Sequence, residues 1–206
     1  MTPWLRPAAA VALTVGLAAC GSSAPLRYHA LSQPGTATPS HGSAALLVEV
    51  LPIAVPERIN REEVVLTAPG GHLDVRDGDR WAAPLADEIR QMVDDALWRR
   101  LRAADTYAAP VAASADGPPQ YRLALRLERL EAIPGHQAVT EATWTLRRLP
   151  QGTPIICRAT AVEGLPATTP EAAVAALSLS SARVGDSIAT SLERLANGTT
   201  NPCGEG

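Results

Sequence analysis

The segment Leu17-Ala18-Ala19-Cys20 limits the whole chain, because it decides which residues take part in a fold at all. It closes a largely apolar run, residues 8–17, that follows a single basic residue, Arg6. Such a run behind a positive start suits a signal peptide and is too short to span a bilayer. Small side chains next to a cysteine are what lipoprotein processing needs at the cut, with the thiol left free to become a diacylglyceryl thioether. The segment therefore reads as a lipobox, with cleavage between Ala19 and Cys20 and lipidation of Cys20. At about 0.8 kcal/mol per buried methylene, two or more acyl chains make a stable anchor. The alternative is a small-residue apolar helix with a buried cysteine.

On the lipobox reading, residues 1–19 are removed and residues 20–43, rich in Gly, Ser, Pro and Thr, form a lipidated flexible tether. Residues 44–197 are the domain and residues 198–206 a tail. Removing 19 of 206 residues leaves one domain's worth of chain. Gly21, where an inner-membrane protein would carry Asp, resembles the pattern that lets a lipoprotein leave for the outer membrane. The expected location is the periplasm, anchored to the inner leaflet of the outer membrane.

All 18 basic residues are arginine, and they face 21 acidic ones. Without lysine there is no P-loop lysine, Schiff-base lysine or Ser-Lys dyad. A net charge of -3 argues against a nucleic-acid partner. With Cys20 assigned to lipid, Cys157 and Cys203 remain. Export to an oxidising compartment favours their pairing, which would pin the tail to the domain; two independent thiols are the alternative.

Residues 44–53 are apolar on both faces and predict a central strand ended by Pro52 and Pro56. Residues 63–67 and 72–76 flank Pro69-Gly70-Gly71 as a hairpin, and residues 28–31 are a brief β-prone break in the tether. Asp74, Asp77 and Asp79 around Gly78 read as an Asp-Gly turn in preference to a calcium loop, which would need a closing glutamate. Leu85, Ile89, Val93, Ala96, Leu97 and Leu101 recur at helical spacing behind Pro84. Residues 121–127 alternate as a half-buried strand whose phase slips after Glu128, predicting a bulge. Turns at residues 134–137 and 150–152 then give an antiparallel meander. A second helix runs from Pro170 to about residue 196, capped by Thr169, with a kink expected between residues 178 and 185. The predicted class is α+β, with one curved mixed or antiparallel sheet of five to six strands and two helices on one face.

The four histidines are scattered and join no metal-ligand spacing. There is no Gly-x-Ser-x-Gly elbow or glycine-rich phosphate loop, so no enzyme, cofactor or metal is expected. Ser178, Ser180 and Ser181 lie in an Ala-rich helix, where small residues are readily tolerated.

Several short motifs in a fixed order resemble the PqiC-like ABC-type transport auxiliary lipoproteins. They are Tyr28-x-x-Leu31, Val50-Leu51-Pro52, Pro56 followed by Arg61-x-x-Val64-Val65, and above all Arg80-Trp81-Ala82-x-Pro84-Leu85. The helix around residues 175–189 is similar too. Two departures stand out. Asn60-Arg61-Glu62-Glu63 replaces the family's usual Asp-Arg-Pro-Gln, and Ala83 replaces an acidic residue. The resemblance implies an accessory to an Mce-type lipid transport system. Its partner would be an Mce-domain protein, its cargo phospholipid or another apolar molecule, with a role in membrane integrity and a homo-oligomeric ring as its assembly. Arg61, Arg80, Trp81, Pro84 and Leu85 are the motif residues it marks for partner binding. The alternative for Trp81 and the arginines is a structural role. An envelope assembly scaffold or chaperone, and more remotely a lipid-active hydrolase, are the competing functions.

Overall fold

The computed structural model describes residues 25–31, 42–68, 70–112 and 116–204. The lipobox residues Ala19 and Cys20, and most of the tether with His41, lie outside the described residues. The described strands are β1 (Arg27–His29), β2 (Leu46–Val50), β3 (Glu63–Thr67), β4 (Leu73–Trp81), β5 (Ala103–Asp105), β6 (Gln120–Ile133), β7 (His136–Arg148) and β8 (Ile155–Leu165). The helices are α1 (Leu85–Leu101) and α2 (Pro170–Ala196). Neither is long and apolar enough to cross a membrane.

The fold is α+β with mixed sheets, as expected, but its strands divide between two of them. Five strands run in the order β5-β2-β6-β7-β8, and three in the order β1-β4-β3. The β3–β4 hairpin does not join the larger sheet. It pairs with β1, so the folded domain reaches back into the stretch expected to be tether. β1 is three residues long, and its partner lies about fifty positions away. No local pattern could announce that pairing.

β2 lies between β5 and β6, parallel to both. Leu47, Val48 and Val50 are buried there, which explains why both faces of this segment are apolar. The β6–β7–β8 meander forms the rest of the sheet, and its register shifts between Leu127 and Arg129, so the extra residue is Glu128. Gly152 closes the β7–β8 turn. Its N–H donates to the Arg148 carbonyl at 2.8 Å, and a Cβ there would come within 2.7 Å of that oxygen. Any side chain would push the turn open.

Both helices pack on the sheet face that carries Leu125, Leu127, Thr140 and Ala142. Between them they leave a void of only about 10 Å³. Gly185 lets α2 approach α1, since a Cβ there would sit 3.3 Å from that of Ala96. α2 is one unbroken helix through residues 178–185, where the sequence suggested a kink. Its buried serines are all hydrogen-bonded. Ser178 and Ser180 donate to the carbonyls of Val174 and Leu177 within the helix, and Thr140 on β7 lies 2.7 Å from the Ser180 hydroxyl and 3.1 Å from that of Ser181. Satisfied hydroxyls on small side chains allow close helix–sheet contact without breaking the backbone ladder. Thr169 caps α2 by accepting from the Ala172 N–H.

Cys157, buried on β8, is joined to Cys203 by a disulfide that closes a 46-residue separation. Restricting an unfolded loop of that length is worth about 2–4 kcal/mol. Cys203→Ser should lower the urea midpoint accordingly while leaving the far-UV circular dichroism unchanged. A midpoint indifferent to both the substitution and reductant would show that this crosslink contributes nothing.

Candidate functional site

Strand β4 builds the site by presenting alternate residues to opposite faces. Asp79 and Trp81 turn inward and are 1% and 6% exposed, while Arg80 between them turns outward. The region expected as an Asp-Gly turn is therefore the middle of a strand. Asp77 and Gly78 pair with neither neighbour and form an irregularity opposite Glu63 and Val64, while the ladders on either side of them, to β3 over residues 73–76 and to β1 and β3 from Asp79 onward, carry the strand through. Asp74 is paired with Arg76, and Asp79 with Arg27 and His29. Among the described residues no three His, Cys, Asp or Glu side chains are grouped so as to hold a metal.

β1 is clasped by that buried carboxylate. His29 Nε2 lies 2.8 Å from one Asp79 oxygen, and Arg27 donates to the other at 2.9 Å. Arg27 also reaches Glu171 in the first turn of α2 at 2.5 Å. At the far end of β1, the Leu31 N–H donates to the buried Glu88 carboxylate of α1. His29, read from sequence as an isolated histidine, thus belongs to an inter-strand cluster.

Burial alone would raise the Asp79 pKa, but its hydrogen bonds to His29 and Arg27 and their charges outweigh that and hold it below the usual aspartate value. The folded state therefore binds fewer protons at Asp79 than the unfolded state does. Its contribution is complete above the unfolded value of about 3.9 and is lost as pH falls through the lower folded value. Asp79→Asn should cost about 1–3 kcal/mol at neutral pH and flatten the stability profile below pH ~4. Parallel acid limbs in the two proteins would show that Asp79 is not a source of the acid sensitivity.

On the outer side of the same strands a groove of about 460 Å³ opens. Tyr28, Asn60, Arg61, Glu62 and residues 80–85 line it. Strand register explains the assembly: Tyr28 on β1 and Glu63 on β3 both lie opposite Arg80 on β4. Arg80 pairs with Glu62 at 2.6 Å and Arg61 with Glu63 at 2.8 Å. The bond from Arg61 is the main reason the Glu63 carboxyl titrates below its usual range. Trp81 ends β4, with its N–H donating to the Glu62 carbonyl, and Pro84 delivers the chain into α1.

The groove therefore gathers all five motif residues singled out in the sequence: Arg61, Arg80, Trp81, Pro84 and Leu85. Their exposures differ. Trp81 and Leu85 belong to the hydrophobic core, whereas the Arg61 and Arg80 side chains are 45% and 31% exposed. Tyr28, Asn60, Glu62, Ala82 and Ala83 are the groove residues the sequence reading did not single out as a site. The signal for Tyr28 was its place in the Tyr28-x-x-Leu31 motif. A mixed concave surface of this kind can hold a ligand or a partner segment, and it shows no nucleophile–base pair.

Residues 29–189 match the model of the ABC-type transport auxiliary lipoprotein component family. The chain belongs to that family. Members are auxiliary components of transport rather than a known class of enzyme, and a family of lipoproteins accords with lipid-anchored placement in the envelope. Among solved structures, the fold resembles the crystal structure of an uncharacterized protein, with TM-score 0.65 and 18% identity over 82% of this chain and 99% of that one. It also resembles protein XCC0632 from Xanthomonas campestris, with TM-score 0.58 and 18% identity over 79% of this chain and 94% of that one. A PelC dodecamer from Paraburkholderia phytofirmans aligns with TM-score 0.37 and 13% identity over 73% of this chain and 93% of that one. No curated protein sequence matches the chain.

Proposed function

We propose that this auxiliary lipoprotein is the periplasmic accessory subunit of an Mce-type ABC transport system. Anchored by lipid on Cys20 to the inner leaflet of the outer membrane, it docks on an Mce-domain protein. There it supports passage of phospholipid or other apolar cargo between the membranes, and so membrane integrity. The observation that carries the reading is the family match over residues 29–189. The groove agrees with it, since it offers arginine heads and apolar walls in one concavity, as a docking surface needs. Arg61 and Arg80 are the proposed contact residues, with Trp81, Pro84 and Leu85 holding the groove's shape. Assembly as a homo-oligomeric ring belongs to the same reading.

Affinity purification of the tagged full chain from envelopes tests it. An Mce-domain protein and its ABC permease should co-purify, and Arg61→Glu should weaken recovery about tenfold while leaving the thermal midpoint unchanged. Co-purification of an outer-membrane barrel protein without any Mce-domain protein would overturn the proposal in favour of an assembly scaffold.

A further inference from the structure

Strand β1 and the lipidation site together decide which end of the domain lies nearest a bilayer. Only six residues separate Cys20 from Arg27, a path that spans at most about 25 Å when fully extended. A domain of this length is roughly 40 Å across. Acyl chains on Cys20 therefore cannot enter a membrane lying beyond the end of the domain remote from β1.

Period-two alternation gives β1 two unlike faces. Arg27 and His29 turn toward Asp79 and fix the strand to the body. Tyr28 falls on the opposite side and is 65% exposed, and Leu26, immediately before the strand, is 46% exposed. Leucine offers hydrocarbon, and tyrosine an apolar ring with a polar tip, a pairing suited to the boundary between headgroups and acyl chains. Neighbouring Arg61 and Arg80 are already matched by Glu63 and Glu62, so net charge is not the attraction.

We infer that Leu26 and Tyr28 seat the domain on the phospholipid surface that holds the Cys20 acyl chains, so that the groove bordered by Tyr28 opens beside the headgroup layer. The occupant is a bilayer because the tether brings one within reach of this face whatever else binds the domain. The inference rests on the reading of Cys20 as the lipidated residue.

The acylated mature chain in vesicles of phosphatidylethanolamine and phosphatidylglycerol provides the test. With Cys20 acylated and Cys157 joined to Cys203, an introduced cysteine is the one free thiol. A nitroxide on Tyr28→Cys should collide severalfold more with oxygen, relative to a water-soluble nickel chelate, than one on Leu179→Cys, an exposed position on α2. Equal, water-like values at both positions in protein shown by mass spectrometry to be acylated would overturn the inference and leave the lipid anchor standing. A chain recovered from envelopes without acyl groups would overturn both. A label at position 28 shielded only after an Mce-domain protein is added would overturn the inference in favour of a protein contact.

Discussion

Trp81→Ala should destabilise the domain by about 3–5 kcal/mol, a large share of the 5–15 kcal/mol available to a domain of ordinary stability. Trp81 is 6% exposed and joins the core that Leu85 and Ile89 of α1 share with strands of both sheets. Truncation would leave a cavity where β4 passes into α1, and neither backbone is free to collapse into it. The Trp81 N–H is bonded to Glu62, and that of Ala82 to the His29 carbonyl. Urea unfolding followed by circular dichroism should show a lower midpoint, with Trp81→Phe between alanine and the parent. An unchanged midpoint in Trp81→Ala would mean that the ring contributes little to the core. Arg61→Glu, on an exposed side chain, should behave in the opposite way and affect recovery of the partner without affecting unfolding.

Cys20→Ala should shift the protein from the membrane fraction to the soluble fraction while leaving the unfolding midpoint of the domain unchanged. Burial at about 0.8 kcal/mol per methylene makes a two- or three-chain anchor stable, and no described helix is long and apolar enough to replace it by spanning the bilayer. Fractionation of envelopes with mass spectrometry of the amino-terminal peptide checks this. Membrane-bound, acylated Cys20→Ala protein would show that another residue carries the lipid. A soluble but unfolded variant would show that the domain depends on the membrane for its stability.

The parts of the fold legible in the sequence are those whose signals are local. Six spaced apolar positions sufficed for α1, Thr169 and Pro170 marked the start of α2, and the phase slip after Glu128 marked the bulge in β6. Two kinds of error had a common origin. Asp77-Gly78 has the composition of a turn, yet it becomes an unpaired irregularity within β4 because the residues on either side of it pair with β3 and β1. The stretch from Ser178 to Gly185 reads as a weak point of α2, yet Thr140 on β7 pairs with the hydroxyls of Ser180 and Ser181. In both cases a partner distant in sequence supplied the deciding free energy.

The site divides in the same way. The order of short motifs was enough to mark Arg61, Arg80, Trp81, Pro84 and Leu85, because residue identity alone carries a family pattern. That these residues border one groove, that Tyr28 joins them, and that Trp81 is largely buried while Arg80 beside it is not, followed from strand register across β1, β4 and β3. The sequence by itself determined the α+β class and the motif order that marks the family, both properties of residue type and near-neighbour spacing. Tertiary structure alone decided the division into two sheets, the His29–Asp79–Arg27 clasp and the face on which Tyr28 stands. Each depends on β1, whose three residues acquire a conformation only when β4, some fifty positions later, is there to hold it.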